Sequence, residues 1–117
     1  KITLIGTEAG IGVRNAGQIG ASAGEVVVTV DGRIENSGTI TSTNQIRATT
    51  HNQLSNSGTI AAQSDVGLNA ASIDNSGGII GSVGGSVALN SNGLLTNNAG
   101  HIEAGNQQQI GILRRTE

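Results

Sequence analysis

The chain has 117 residues, 19 of them glycine, and contains no proline, cysteine, methionine or aromatic residue. Six Lys+Arg against eight Asp+Glu give a formal net charge of −2. No disulfide framework or thiolate metal site is available. With neither a basic surplus nor stacking rings, nucleic acid is excluded as a partner.

Charged residues make up 12%, about half the usual share. The apolar 35% is only Ala, Val, Ile and Leu. No apolar run reaches the length of a transmembrane helix, so no transmembrane segment is expected. Lys1 opens no apolar leader-like stretch, so no signal peptide is visible. The glycine, serine and asparagine content resembles a flexible linker. The spacing of the aliphatic residues argues for order instead.

Ile2 and Leu4 read as one short strand. Gly6-Thr7-Glu8-Ala9-Gly10 is then inserted, so the first coil, residues 1–14, is expected to be irregular. From Val13 a repeat begins. Val13-Arg14-Asn15-Ala16-Gly17-Gln18-Ile19 returns as Ile34-Glu35-Asn36-Ser37-Gly38-Thr39-Ile40 and as Leu54-Ser55-Asn56-Ser57-Gly58-Thr59-Ile60. It returns again from Ile73 to Ile80 around Asn75 and Gly77, and from Leu95 to Ile102 around Asn97 and Gly100. The anchors Asn15, Asn36, Asn56, Asn75 and Asn97 are 21, 20, 19 and 22 residues apart.

Inside each repeat the local period is two, the period of a strand. Ile19, Ile40, Ile60, Ile80 and Ile102 are each followed two residues later by Ala21, Ser42, Ala62, Ser82 or Ala104. A second alternating pair follows: Val26/Val28, Ile46/Ala48, Val66/Leu68, Val87/Leu89 and Ile110/Ile112. A third apolar position precedes each anchor asparagine by two. A unit of about 20 residues made of such strands cannot bury its own apolar face, but stacked coils can.

The expected fold is therefore all-β, a parallel β-helix (solenoid) of about 5–6 coils with a ~20-residue repeat. At a coil spacing of about 4.8 Å the rod is roughly 25 Å long. One domain covers 1–117, with repeats over 15–105 and a last strand in 106–117. Equivalent positions stack into an isoleucine ladder, an Ala/Ser ladder and an asparagine ladder. The asparagines sit at corners and bond the backbone or the next asparagine. The turn is assigned to Gly17, Gly38, Gly58, Gly77 and Gly100. The Asn75 and Asn97 corners carry one extra residue and are expected to be wider.

Chemistry is sparse. Gly10-Ile11-Gly12 and the stretch Gly81 to Gly85 do not continue into a phosphate-binding motif. His51 and His101 fall in different repeats, and His101 takes an outward place beside its ladder isoleucine. Glu35 and Asp74 share a register, but Arg14, Ser55 and Thr96 interrupt it, so no acidic stripe forms. Arg14 and Glu35 are expected to make a surface ion pair. Thr39, Thr41 and Thr43 alternate outward, but the array fails in the next coil. No catalytic residue, metal site or cofactor is expected, and no enzyme activity.

The pattern Leu-x-Asn-x-Gly-x-Ile at 54–60, and Leu-Thr-Asn-Asn-Ala-Gly-His-Ile at 95–102, resembles the repeats of filamentous haemagglutinins. Related repeats build the stalks of other large exoproteins, including contact-dependent growth inhibition toxins. The resemblance runs from about Gly10 to Gly105. It implies a right-handed β-helix exported by the two-partner route through an outer-membrane transporter. It also implies a secreted or cell-surface location on a Gram-negative bacterium. Partners so implied are that transporter, adjacent β-helix segments of the same exoprotein, and a host or bacterial surface receptor. The expected role is a structural shaft of an adhesin. A growth inhibition toxin stalk, or a receptor- or glycan-binding module, is the alternative. The lack of a capping helix at either end suggests a piece of a longer fibre.

Overall fold

A computed structural model describes residues 2–6, 10–105 and 108–112. The described residues are strands and corners only, wound as a parallel β-helix. One sheet holds β1 (Ile2–Gly6), β4 (Val26–Val30), β7 (Ile46–Thr50), β10 (Val66–Ala70), β13 (Val87–Ser91) and β16 (Gln108–Ile112) in that order. A second holds β2 (Ile11–Asn15), β5 (Arg33–Asn36), β8 (Gln53–Asn56), β11 (Ser72–Asp74) and β14 (Leu95–Thr96). The third holds β3 (Gln18–Ala21), β6 (Thr39–Ser42), β9 (Thr59–Ala62), β12 (Ile79–Ser82) and β15 (His101–Ala104). Each strand pairs in parallel with the strand one coil away, so one coil contributes one strand to each sheet.

The alternation of aliphatic and polar residues decides which face turns inward. Val26, Ile46, Val66 and Val87 stack in register, as do Val28, Ala48, Leu68 and Leu89. Ile34, Leu54, Ile73 and Leu95 line the second sheet, and Ile40, Ile60 and Ile80 the third. All of these are buried. Ile19 and Ile102 continue the isoleucine column and are half-buried. Each fully buried Val, Leu or Ile contributes about 1.5–3 kcal/mol. Because the interior is narrow, every coil depends on its neighbours for that burial.

The first coil carries its irregularity as a bulge. Ile11 pairs with Arg33 and Val13 with Ile34, so two residues oppose one across this step. A Cβ on Gly12 would lie 2.9 Å from the Val30 Cβ, which leaves glycine as the residue that fits the bulge. The inserted Thr7, Glu8 and Ala9 fall outside the described residues.

Two expected equivalences shift. Ile110 and Ile112 pair with Leu89 and Ser91, not with Val87 and Leu89. The third-to-first-sheet corners elsewhere span 22–25, 43–45, 63–65 and 83–86. Starting β16 at Gln108 keeps the last corner as short as these. The expected register would need a longer one. The second shift concerns glycine. The stacked position of the fourth coil belongs to Gly78, while Gly77 takes a positive-φ turn position.

Candidate functional site: the stacked asparagine corner

The second-to-third-sheet corner of each coil is built on its anchor asparagine. Strand alternation turns Val13 inward, Arg14 outward and Asn15 inward again, and later coils follow. The side chains meet axially. Asn15 Nδ2 donates to Asn36 Oδ1 at 2.9 Å, Asn36 to Asn56 at 2.8 Å, Asn56 to Asn75 at 2.8 Å and Asn75 to Asn97 at 2.8 Å. Every donor also reaches its own corner, at Gly17 O, Gly38 O, Gly58 O or Gly78 O. It reaches the following coil too, at Thr39 O, Thr59 O, Ile79 O or His101 O. Asn56 is 1% exposed and Asn75 0%, so water cannot replace these partners. An amide has both donor and acceptor faces, which is why Asn can repeat indefinitely here where a carboxylate cannot.

The corner glycines make this stacking possible. A Cβ on Gly38 would lie 2.1 Å from Gly17 O, one on Gly58 2.0 Å from Gly38 O, and one on Gly100 2.1 Å from Asn75 O. Backbone of one coil sits where the next coil's side chain would begin. The wider corners insert one residue with positive φ, Gly77 at 72° and Ala99 at 55°. Gly78 N then bonds Asn75 O at 3.1 Å, and Gly100 N bonds Asn97 O at 3.3 Å.

The other two corners use hydroxyls. Asn44 N donates to Ser42 Oγ, which donates to Gly24 O of the coil before. Asn52 N, Thr50 Oγ1 and Gly32 O form the same relay, as do Gly85 N, Ser82 Oγ and Ser64 O. In the alanine-bearing coil between, the backbone bonds directly, Ser64 N to Asn44 O and Ala71 N to Asn52 O. At the Ser42 and Thr50 corners the hydroxyl supplies the cross-coil link, and at the Ser82 corner it adds to the backbone bond from Gly84 N to Gln63 O. Sequence reasoning treated Ser42 and Ser82 only as small residues and passed over Thr50 and Ser91. The available signal was the alternation of Ala21, Ser42, Ala62, Ser82 and Ala104 every second coil.

With this geometry in place, comparison with known proteins is informative. The sequence matches the haemagglutinin repeat family over residues 4–50 and 39–106. The chain belongs to that family. It is 61% identical over 46 residues to Toxin CdiA of Yersinia pestis, a match covering 39% of this chain and 1% of that protein. The chain thus spans a very small part of that relative's length. No solved structure gives a significant match.

In this haemagglutinin repeat segment the outward chemistry is scattered. Arg14 Nε lies 3.1 Å from Glu35 Oε1, and Arg33 Nε 3.3 Å from Glu35 Oε2. His51 Nδ1 faces Asp31 Oδ1 at 3.1 Å, and His101 Nε2 faces Glu103 Oε1 at 2.8 Å. Arg33 and Glu35 are half-buried, while Arg14 and the two histidines are exposed, and exposed pairs of this kind contribute about 0–1 kcal/mol each. Among the described residues no three His, Asp or Glu side chains converge as a metal site. Thr41 pairs with Gly20 and Ala61, so the threonines form no flat array. The surface depressions are open, such as one of 190 Å³ beside Arg14, Glu35 and Ser55 and one of 270 Å³ beside His51, Asn69 and Asn92. No described helix is long and apolar enough to cross a membrane.

Proposed function

We propose that this haemagglutinin repeat segment is a shaft piece of a large secreted bacterial exoprotein, serving length and rigidity. The observation that carries this reading is the axial hydrogen-bond column from Asn15 to Asn97, which ties each coil to the next. A column of this kind can be extended by further copies without new chemistry. On this reading the chain's permanent partners are neighbouring β-helix segments of the same exoprotein. An outer-membrane two-partner transporter handles it during export, and the mature shaft stands on a Gram-negative cell surface or is released. No catalytic step is assigned to it.

The likeness to Toxin CdiA favours a toxin-bearing parent over a plain adhesin. On that view the shaft holds a toxin or receptor-binding segment away from the producing cell. Recognition then belongs to other parts of the parent, which agrees with the scattered charges and shallow depressions of this surface.

The experiment is to incubate the labelled chain with epithelial cells and with Gram-negative bacteria, against an unrelated β-helix. Binding no greater than that control is expected. Saturable binding to either cell type would replace the passive shaft by a binding module.

A further inference from the structure

Asn92–Gly93 is the one Asn-Gly dipeptide in the sequence. It forms the corner between β13 and β14, where Asn92 is exposed. Asn-Gly is the sequence most prone to deamidation, because glycine has no Cβ to hinder ring closure. The following backbone nitrogen attacks the side-chain Cγ, a C–N bond forms, and the amide nitrogen leaves as ammonia. Water then opens the succinimide, giving aspartate or isoaspartate. The reaction takes up one water, releases one ammonia and needs no other reactant.

In the folded coil the attacking nitrogen is occupied. Gly93 N donates to Ala71 O of the preceding coil at 2.6 Å, and Asn92 N donates to Ala70 O at 3.2 Å. Ser91 Oγ approaches Gly93 O at 3.2 Å and Leu94 O at 3.3 Å from the other side. Leu94 O accepts from Ile73 N at 3.1 Å. The corner is thus tied on both sides to neighbouring groups. It is also tight: a Cβ on Gly93 would lie 2.9 Å from Ala71 O.

We propose that Asn92–Gly93 is a deamidation site of the unfolded chain that coil closure shuts, and that isoaspartate there prevents the following coil from docking. Isoaspartate inserts a methylene into the backbone. The extra length falls where the Gly93 N–Ala71 O and Ile73 N–Leu94 O bonds set the register of Leu95 against Ile73. A chain kept unfolded long enough therefore loses the ability to complete its later coils, while a folded chain does not age at this position. The anchor asparagines Asn36, Asn56 and Asn75 are each followed by serine, whose Cβ slows the same reaction.

The test is to age the chain at neutral pH in buffer and in guanidinium chloride, then quantify amide loss by peptide mapping with isoaspartate detection. In denaturant, residue 92 is expected to convert ahead of every other asparagine. In buffer it should convert at least about tenfold more slowly, since cyclisation first requires the corner to open. After refolding, aged chains should lack hydrogen-exchange protection over 93–104 in proportion to the isoaspartate formed. Asn92→Gln, which closes a larger ring slowly, should refold fully after the same ageing. Equal conversion in buffer and denaturant would overturn the shielding. Full protection in modified chains, or equal loss in Asn92→Gln, would overturn the docking block.

Discussion

Asn36 Nδ2 donates to Asn56 Oδ1 at 2.8 Å although the two residues are 20 positions apart in sequence. Both are buried, at 2% and 1% exposure. The link runs inside the corner at the end of the β5–β8 ladder, where Asn36 pairs with Asn56, and its amides are cut off from water. Removing one member should therefore cost more than one ordinary hydrogen bond. Asn56→Leu leaves Asn75 Oδ1 without the donor that Asn56 supplies and takes the acceptor from Asn36 Nδ2. A loss of about 2–4 kcal/mol is expected in chemical denaturation. A loss below about 0.5 kcal/mol would show that the column contributes little.

A charge at the same place should make stability pH-dependent. Asn56→Asp sets a carboxyl against Asn75 Oδ1 and Ile79 O, both acceptors. Burial and these neighbours raise its folded-state pKa above the unfolded value of about 4. The variant should be least destabilised in acid, where the protonated group can still donate. Destabilisation should grow as pH rises through the unfolded pKa and level off above the folded one. Melting temperatures of variant and parent from acid to neutral pH check this. A pH-independent gap would contradict it.

Two glycine substitutions should separate close approach from simple flexibility. Gly58→Ala places a Cβ 2.0 Å from Gly38 O, and backbone must move to receive it. Gly67→Ala, on the outer face of β10, meets nothing within 4 Å. The first should lower the melting temperature sharply or prevent folding. The second should be neutral or stabilising by about 0.4–1 kcal/mol. Thermal melts that rank them the other way would refute the stacked corner.

Thr50→Val tests the hydroxyl relay at nearly constant shape. It removes Oγ1 from between Asn52 N and the buried Gly32 O in a partly buried corner. A cost of about 1–3 kcal/mol is expected even though valine already occupies the register one coil earlier, at Val30. A neutral result would mean that the backbone closes this corner unaided.

Ile60→Asp and Thr41→Asp divide inside from outside. Ile60 is 1% exposed in the middle of its column, whereas Thr41 faces solvent. The first should abolish cooperative folding, because a carboxylate in that interior finds no partner. The second should change stability by less than about 0.5 kcal/mol. Similar circular dichroism melts for the two would reverse the assignment of faces.

The coil architecture was legible because burial and sequence share the same two periods, two within strands and about twenty between coils. Val13, Ile34, Leu54, Ile73 and Leu95 stack as their spacing suggests. What spacing does not contain is the choice among adjacent glycines. Gly77 and Gly78 read alike, and only the extra residue of that corner assigns the first to positive φ and the second to the close approach. The register of Ile110 was misread because apolar pattern alone does not encode corner length. The hydroxyl relays were hidden because Ser and Ala look equally small in sequence, while one carries a bond that the other leaves to the backbone.

The most direct measurement of the stacked corner is hydrogen exchange of the side-chain amides of Asn36, Asn56 and Asn75 by nuclear magnetic resonance. If the coils are tied through this column, those protons should exchange as slowly as the backbone amides of β5, β8 and β9, and should show cross-coil contacts. Exchange at the rate of exposed Asn69 and Asn92 would mean that the coils are not joined in this way.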